Sequence, residues 1–263
     1  MSHEQELLDV AIDAARTAGA LLHERAAQGR ERVVSAKTTP TDPVSEADHA
    51  SERAIRDLLA SARPGDGFLG EEGGPEQRGT SGLSWVVDPL DGTANFLFGI
   101  PQWCVSVAVR DGEGTLAGAV FDPNRDELFT ATRHGPARLS SAGETVALKG
   151  STREDLPTAL VATGLAYDAA VREAQGRVLA DLVGRVRDIR RFGSAALDLA
   201  WTATGRNDAY IERTVRQWDI AAGALVCERA GLSVLELAPR ERLPWGVLAA
   251  PPALARRLLQ IVG

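Results

Sequence analysis

The sequence predicts a mixed α/β fold made of two halves, an α+β half over residues 1–150 and an α/β half over residues 151–263. In the first half, two segments with helical periodicity precede a run of short, often alternating strand patterns. In the second half, strand and helix patterns alternate along the chain. Residues 149–157 separate the two patterns, and we predict that they form the boundary between the halves.

The chain is predicted to begin with two helices. Apolar side chains recur at helical spacing over residues 3–28, at Leu7, Leu8, Ala11, Ile12, Ala15, Ala18, Leu21 and Leu22. Residues 34–44 contain two prolines and no periodicity, so we expect a loop there. Ser45 and Asp48 have the spacing of a capping box, with Asp in place of the usual Glu, and they predict a second helix that ends near residue 62.

The rest of the first half is predicted to be an antiparallel sheet. Short apolar segments at 68–70, 83–87, 104–109, 116–121 and 127–131 are separated by Gly, Pro, Asn or Asp. In the second half, we predict strands at 159–162, 209–211, 232–237 and 246–249, and helices at 169–186, 195–204, 219–230 and 252–261. This order is typical of an antiparallel sheet followed by a mixed α/β unit.

The composition of the chain restricts what the protein can bind and where it is expected to reside. Of the 263 residues, 44% are apolar and 25% are charged, as in an ordinary globular protein. A net charge of −7 argues against a general nucleic-acid surface, and no apolar run approaches the roughly 18 residues of a membrane span. The N-terminus is acidic and has no apolar signal core, so we expect a cytoplasmic protein. Cys104 and Cys227 lie far apart in apolar segments and are predicted to be buried free thiols.

The most informative stretch is residues 85–96, Trp-Val-Val-Asp-Pro-Leu-Asp-Gly-Thr-Ala-Asn-Phe. Two carboxylates, Asp88 and Asp91, follow an apolar strand end, where an unpaired charge would be very costly. A bound cation compensates such charges, and Asp carboxylates suit Mg²⁺. Gly92 lets the backbone turn sharply and point N–H groups outward, which makes a nest for an anion. A metal and an anion side by side predict phosphoryl chemistry.

Three further acids, Asp48, Glu71 and Asp219, lie at predicted element boundaries, where side chains can converge on a cleft. Taken alone, Asp219 would fit the N-cap of a helix and Glu71 a turn. Together with Asp88 and Asp91, they offer oxygen ligands for more than one hard cation.

Six segments resemble the signature segments of the inositol monophosphatase family, in the order in which that family has them. They are residues 37–48, 69–72, 85–96, 191–196, 210–212 and 218–223. The resemblance implies a layered α-β-α-β-α sandwich with the ions between the two halves. It also implies a lithium-sensitive phosphatase that depends on Mg²⁺ and forms a homodimer.

The resemblance implies a ligand set for two to three Mg²⁺ ions, which Mn²⁺ could replace. Glu71, Asp88 and the main-chain carbonyl of Leu90 would hold the first ion. Asp88, Asp91 and Asp219 would hold the second, with Asp88 bridging the two. A third, weaker ion would lie near Glu71.

The resemblance also assigns the chemistry to water rather than to a protein nucleophile. Glu71 and Thr93 would position the attacking water, and Asp48 would accept a hydrogen bond from the Thr93 hydroxyl. The N–H groups of Gly92 and Thr93 would hold phosphate oxygens. The residues implied for substrate and phosphate are Asp91, Gly92, Thr93, Ser194, Ala195, Glu212 and Asp219.

The substrate implied first is inositol 1-phosphate or a similar small polyol phosphate, because a carboxylate such as Glu212 accepts hydrogen bonds from hydroxyls. Arg213 and Arg216 are less typical of the family and are expected to face solvent. If they reach the cleft, they favour a substrate with a second anionic group. Histidinol phosphate, fructose 1,6-bisphosphate and a phosphoadenosine nucleotide are therefore alternative substrates.

Two other classes of function are considered. Phosphatases with an aspartate nucleophile also carry an Asp near Gly-Thr, but their motif has one residue between two aspartates, whereas here there are two, Pro89 and Leu90. A regulator without activity that binds protein or RNA is the non-enzyme alternative. Its only support is a basic cluster of Arg185, Arg187, Arg190 and Arg191, and we favour an amphipathic surface segment over a partner-binding patch as the explanation of this cluster.

Overall fold

The computed structural model describes residues 2–29, 33–36, 43–74 and 76–263. Its helices are α1 (His3–Gln28), α2 (Glu46–Ala62), α3 (Thr93–Leu97), α4 (Ala169–Val183), α5 (Ala195–Ala203), α6 (Gln217–Arg229) and α7 (Pro252–Val262). The first strands are β1 (Val33–Ala36), β2 (Pro43–Ser45), β3 (Gly67–Gly70), β4 (Ser84–Asp91), β5 (Cys104–Asp111), β6 (Gly114–Asp122) and β7 (Glu127–Thr132). The others are β8 (Arg138–Ser141), β9 (Glu144–Ala147), β10 (Leu160–Thr163), β11 (Asp188–Arg190), β12 (Ala209–Arg213), β13 (Ser233–Leu237) and β14 (Gly246–Ala250).

The elements stack in five layers, α-β-α-β-α, as the resemblance predicts. A seven-stranded sheet in the order β3-β4-β5-β6-β7-β8-β9 packs one face against α1 and α2. Its other face packs against α5 and α6, which also cover one face of the second sheet. That sheet has the order β11-β10-β12-β14-β13, and its outer face is covered by α4 and α7. The predicted fold class is confirmed.

Strand β4 shows why both sheet faces are buried and how the acids reach the end of the sheet. Trp85 and Val87 point to the α1/α2 layer, whereas Val86 points to the α5/α6 layer. The strand continues to Asp91 rather than ending at residue 87, because one extra residue bulges between Asp88 and Asp91. Pro89 within the bulge has no N–H to give to the ladder. Asp88 and Asp91 therefore both lie at the C-terminal end of β4.

Small residues let α6 approach both of its neighbours. A Cβ on Gly118 of β6 would lie 2.8 Å from the Cα of Ala222, and a Cβ on Gly223 would lie 2.7 Å from the Cβ of Leu199 on α5. Real Cβ atoms do not come this close, so the helix could not lie here with larger side chains. The Ala-Ala-Gly sequence of α6 thus allows the start of this helix to lie beside the end of β4.

Most predicted helices and strands are confirmed, and the differences have local causes. The loop prediction for residues 34–44 is wrong where β1 and β2 pair in antiparallel fashion, while residues 37–42 lie outside the described residues. The hairpin of β8 and β9 was not predicted because its residues are mostly exposed and lack an apolar alternation. Within the first sheet, β3 and β4 are parallel rather than antiparallel.

Both cysteines are buried free thiols, as predicted. The Cys227 thiol donates a 3.1 Å hydrogen bond to the carbonyl of Leu199, and burial raises the pKa of both thiols. Among the helices of the described ranges, none combines the length and the apolar character that crossing a membrane requires.

Candidate active site

A cleft of about 720 Å³ opens between the two sheets. It is lined by the C-terminal ends of β3, β4, β10 and β12 and by the N-termini of α5 and α6. The predicted site residues that line it are Glu71, Asp88, Leu90, Asp91, Gly92, Thr93, Ala195, Glu212 and Asp219. Two predicted residues, Asp48 and Ser194, are buried behind this lining.

Three carboxylates converge in the cleft although they come from distant parts of the chain. One oxygen each of Glu71, Asp88 and Asp219 lies within 4.8 Å of the other two. Burial raises the pKa of Asp219 well above its usual range, and the negative charges of Glu71 and Asp91 raise it further. Such crowding of like charges is costly unless a cation compensates it. An all-oxygen donor set of this kind fits Mg²⁺ or another hard divalent cation.

The bulge of β4 is fixed by short hydrogen bonds. The Leu90 N–H donates to Oδ1 of Asp88 at 3.0 Å, which orients the carboxylate. From α2, the Ser51 hydroxyl donates to the Pro89 carbonyl at 2.7 Å. The Leu90 carbonyl lies 3.1 Å from the Thr93 hydroxyl. The bulge is therefore held within itself by Asp88 and from the helix side by Ser51.

The turn that carries Glu71 is held by a residue that the sequence did not single out. Glu52 of α2 is buried, and its Oε2 accepts the Glu72 N–H at 2.8 Å. Its Oε1 accepts from Arg56 at 3.1 Å. A Cβ on Gly70 would lie 2.3 Å from Glu52 Oε2, so a side chain there would displace this carboxylate. Nothing in the local sequence links residue 52 to residue 71.

The hydrogen bond expected between Thr93 and Asp48 is present. The Thr93 hydroxyl donates to Oδ1 of Asp48 at 2.8 Å. Oδ2 of Asp48 accepts from the N–H of Ser45 at 2.8 Å and from its hydroxyl at 2.6 Å. The predicted capping box of α2 is thus confirmed, and its Asp serves the helix and Thr93 at the same time.

Asp91 faces the N-terminus of α5 and is not one of the three converging carboxylates. Its Oδ2 accepts from the Ser194 hydroxyl at 2.7 Å and from the Ala196 N–H at 2.6 Å. Its Oδ1 accepts one hydrogen bond from the described residues, from the Ala195 N–H at 3.2 Å, and the Cys104 thiol lies 3.8 Å from Oδ2. The positive end of the helix stabilises this charge, although burial raises the pKa of Asp91.

Gly92 and Asn95 shape the turn after Asp91. Gly92 has φ of 101°, and a Cβ there would lie 2.9 Å from the Gln102 carbonyl oxygen, so both conformation and space require glycine. The Asn95 amide donates to the carbonyls of Gln102 and Phe192, each at 2.7 Å. This amide ties the turn to the segment that leads into α5.

Asp219 is the third residue of α6 rather than its N-cap. It accepts the Arg216 N–H at 2.6 Å, which orients the carboxylate back toward the cleft. The Ser106 hydroxyl of β5 donates to the Trp218 carbonyl at 3.2 Å and fixes the start of the helix on the first sheet.

On the opposite side of the cleft, Glu212 lies at the end of β12. The buried Tyr210 hydroxyl donates to its Oε2 at 2.8 Å, and burial raises the pKa of Glu212 to about 7. The expectation that Arg213 faces solvent is wrong, and Arg213 does not reach the cleft either. It is buried and donates to the carbonyls of Ala238, Pro244 and Val262, so it fixes the C-terminus. Arg216 is exposed and lines the cleft.

Asp198 of α5 is a further residue that the sequence analysis missed. It is 1% exposed, and neither carboxylate oxygen has a hydrogen-bond partner among the described residues. Burial raises its pKa well above the usual range, and the charges of Glu212 and Asp91 add to this effect. The only local signal is an Asp in an otherwise apolar helix, Ala-Ala-Leu-Asp-Leu-Ala-Trp.

Comparison with known proteins gives a consistent result. The family model described as "Inositol monophosphatase family" matches residues 3–262. Inositol-1-monophosphatase SuhB of Mycobacterium tuberculosis is 44% identical over 244 residues, which cover 89% of this chain and 82% of the relative. The protein named Nus factor SuhB of Pasteurella multocida is 37% identical over 259 residues, with coverage of 96% and 94%. The crystal structure of extragenic suppressor protein suhB from Bartonella henselae superposes with a TM-score of 0.87 at 34% identity and covers 98% of each chain.

Proposed function

The chain belongs to the inositol monophosphatase family, and from this membership we propose that it is a metal-dependent phosphomonoesterase acting on small polyol phosphates, inositol 1-phosphate first. The observation that carries the proposal is the convergence of Glu71, Asp88 and Asp219 in a cleft. This crowding is costly without a cation, and it lies beside the turn of Gly92 and Thr93, which suits an anion.

We propose that Glu71, Asp88, Asp91, Asp219 and the Leu90 carbonyl hold two to three Mg²⁺ ions, which Mn²⁺ could replace. All five offer oxygen to the same cleft. When bound, the ions supply Lewis-acid polarisation of the phosphate and lower the pKa of a water. Both oxygens of Asp91 accept from the start of α5, Oδ2 from Ser194 and Ala196 and Oδ1 from the Ala195 N–H at 3.2 Å, and Oδ1, with the longer contact, is the atom that we assign to this role. Sensitivity to lithium is part of the same proposal.

The chain's own residues orient the water and the phosphate. Because the Thr93 hydroxyl donates its hydrogen bond to Asp48, the lone pairs of its oxygen are left to accept a hydrogen bond from the attacking water. The Glu71 carboxylate is a second acceptor for that water. The N–H groups of Gly92 and Thr93 donate to phosphate oxygens. Water is the nucleophile in this scheme, so no phosphoenzyme forms.

The substrate's hydroxyls are assigned to Glu212, with Ala195 lining the same pocket. Ser194 acts through Asp91, because its hydroxyl donates there and its side chain is buried. Arg191 and Arg216 also line the cleft and are exposed. These two guanidinium groups keep substrates with a second anionic group, such as fructose 1,6-bisphosphate, as alternatives within the proposal.

The experiment is phosphate release with and without Mg²⁺, comparing the wild type with Asp88→Asn. We expect Mg²⁺-dependent release, and a loss of at least about a hundredfold in the variant, as several kcal/mol of charge stabilisation depend on the ligand set. Asp126→Asn is the matched control, because Asp126 is an exposed turn residue with positive φ that Asn tolerates. Release that is unaffected by Asp88→Asn would contradict the proposal. A panel of inositol phosphates, histidinol phosphate, fructose bisphosphate and phosphoadenosine phosphate identifies the substrate.

A protein- or RNA-binding role is the second candidate. It is supported by the relative named Nus factor SuhB and by the exposed side chains of Arg185, Arg187 and Arg191. The presence of every carboxylate that the family resemblance requires favours the enzyme. Failure of all panel substrates to release phosphate, together with partner capture that needs these arginines, would favour the regulatory role.

The state of assembly and the cellular location are also proposals. The family resemblance supports a homodimer, which light scattering tests by giving a mass near twice 27.9 kDa. A cytoplasmic location stays a prediction from the sequence, and cell fractionation tests it. The division into halves at residues 149–157 is supported by the position of this segment between the two sheets.

A further inference from the structure

Gly164 directly follows β10, next to the end of β12. The two strands are parallel, with Thr163 opposite Ile211, so the next residues, Gly164 and Glu212, are also opposite each other. A Cβ on Gly164 would lie 1.9 Å from Cδ and Oε1 of Glu212 and 2.0 Å from its Oε2. These distances are far inside van der Waals contact, so no other amino acid fits while Glu212 keeps its place. The backbone at Gly164 is not in the left-handed region, so space rather than conformation requires glycine.

The surroundings of Glu212 leave its carboxyl little freedom on the other side. The Tyr210 hydroxyl donates to it at 2.8 Å, and Tyr210 itself is fully buried. The Thr163 hydroxyl donates to the Ile211 carbonyl at 2.7 Å and holds the two strands together. Since β10 lies between β11 and β12 in the sheet, the strand cannot retreat from Glu212. A side chain at position 164 would therefore push away the flexible part, which is the Glu212 carboxyl.

We infer that Gly164 is a positioning residue that selects for polyol phosphates. Because residue 164 has no side chain, the Glu212 carboxyl can occupy the space beside its backbone, where both residues line the cleft. This inference rests on the proposed function, in which Glu212 accepts hydrogen bonds from substrate hydroxyls. Gly164 itself makes no contact with the reacting phosphate. Its effect should therefore appear with substrates that carry hydroxyls and not with simple aryl phosphates.

The test is the substitution Gly164→Ala, measured with inositol 1-phosphate and with p-nitrophenyl phosphate. We expect KM for inositol 1-phosphate to rise about tenfold, the size expected for a lost hydrogen bond to a charged group. We expect kcat/KM for p-nitrophenyl phosphate to stay within about twofold, because that ester offers no hydroxyl and the metal ligands do not move. An equal loss on both substrates would overturn the inference, since it would indicate general damage to the site.

A double substitution tests whether Gly164 acts through Glu212. In Glu212→Ala the side chain no longer reaches Gly164, so adding Gly164→Ala should change KM no further. Additive losses would overturn the inference. If Gly164→Ala alone does not fold, the double variant should regain folding because the collision has been removed. If the double variant also fails to fold, Gly164 is needed for another reason and the inference is wrong.

Gly176→Ala is the matched control. It makes the same change on α4 in the same half of the chain, where no described atom beyond the helix's own backbone and the neighbouring residues lies within 4 Å of the added Cβ. We expect wild-type KM on both substrates. If Glu212→Gln leaves KM for inositol 1-phosphate unchanged, the proposed substrate contact fails. The selection for polyol phosphates then fails with it, and a crystal structure of Gly164→Ala tests the placement alone: a displaced Glu212 carboxyl would show that Gly164 positions it, and an undisplaced one would overturn that as well.

Discussion

The Thr93 hydroxyl donates a 2.8 Å hydrogen bond to Asp48, a residue 45 positions earlier in the chain. The other oxygen of Asp48 is occupied by the N–H and hydroxyl of Ser45 in the capping box of α2. The helix cap therefore fixes the carboxylate, and the carboxylate fixes the direction of the Thr93 proton. The lone pairs of the Thr93 oxygen are left for the attacking water that we propose.

We predict that Thr93→Val, which keeps the shape but removes the hydroxyl, lowers kcat about 10²- to 10⁴-fold, the range of a lost group in proton-transfer catalysis. KM should change little, because the hydroxyl acts on water rather than on substrate. Steady-state kinetics with inositol 1-phosphate measures both. Thr17→Val on the exposed face of α1 is the control. An unchanged kcat in Thr93→Val would show that this hydroxyl has no part in the reaction.

Removing the charge that holds the Glu71 turn should weaken metal binding without touching a ligand. Glu52→Gln loses the anionic acceptor of the Glu72 N–H and the ion pair with Arg56. We predict a 10- to 100-fold higher Mg²⁺ concentration for half-maximal activity, about the cost of losing an outer-shell partner. Activity at saturating Mg²⁺ should largely recover. Glu173→Gln, which breaks an exposed pair with Arg177, is the control. The same Mg²⁺ dependence in both variants would refute the role of Glu52.

The pKa of Glu212, raised by burial to about 7, predicts a pH-dependent KM. Above pH 7 the carboxylate is ionised and accepts hydrogen bonds from hydroxyls; below pH 7 it becomes protonated, and KM for inositol 1-phosphate should rise. In Glu212→Gln this part of the pH dependence should disappear. The comparison of wild type and variant removes the titration of the substrate phosphate itself, whose second pKa is about 6. Parallel profiles for the two proteins would contradict the prediction.

Buried Asp198 predicts a change of stability with pH. Its folded pKa is raised, so the folded state holds the proton more tightly than the unfolded state. The contribution of Asp198 to the free energy of unfolding is therefore greatest below the unfolded-state pKa of about 4. It is lost as the pH rises toward the pKa of the folded state. Asn cannot titrate, so the Tm of Asp198→Asn relative to the wild type should increase from pH 4 to pH 8, by at least about 2 °C. Thermal unfolding in chelator measures it, with exposed Asp181→Asn as control. A relative Tm that falls with pH would be the contrary result.

Local sequence patterns were sufficient for the parts of the fold that follow local rules. The helical spacing over residues 3–28 matches α1, and the capping box at Ser45 matches the start of α2. Apolar alternation failed for β8 and β9, because exposed strands carry no buried face to produce it. The local pattern allows Asp219 as an N-cap, but the helix begins at Gln217, two residues before it, and the Asp219 carboxylate accepts the Arg216 N–H instead.

The supporting contacts of the site could not be predicted from the sequence, because they join residues that only the fold brings together. Glu52 reaches the Glu71 turn from α2, and Arg213 reaches the C-terminus at Val262. Asp91 is another example, because the sequence identifies the residue but not the direction of its side chain. Its motif identified it as an acid at the site, but only the fold turns its carboxylate onto the start of α5.

The most direct test of the central claim is an anomalous difference map from crystals soaked with Mn²⁺. The account predicts peaks bordered by the carboxylates of Glu71, Asp88 and Asp219, and their weakening or loss in crystals of Asp88→Asn grown and soaked in the same way. A wild-type map without any peak at these three side chains, from crystals in which the cleft is open to solvent, would contradict it.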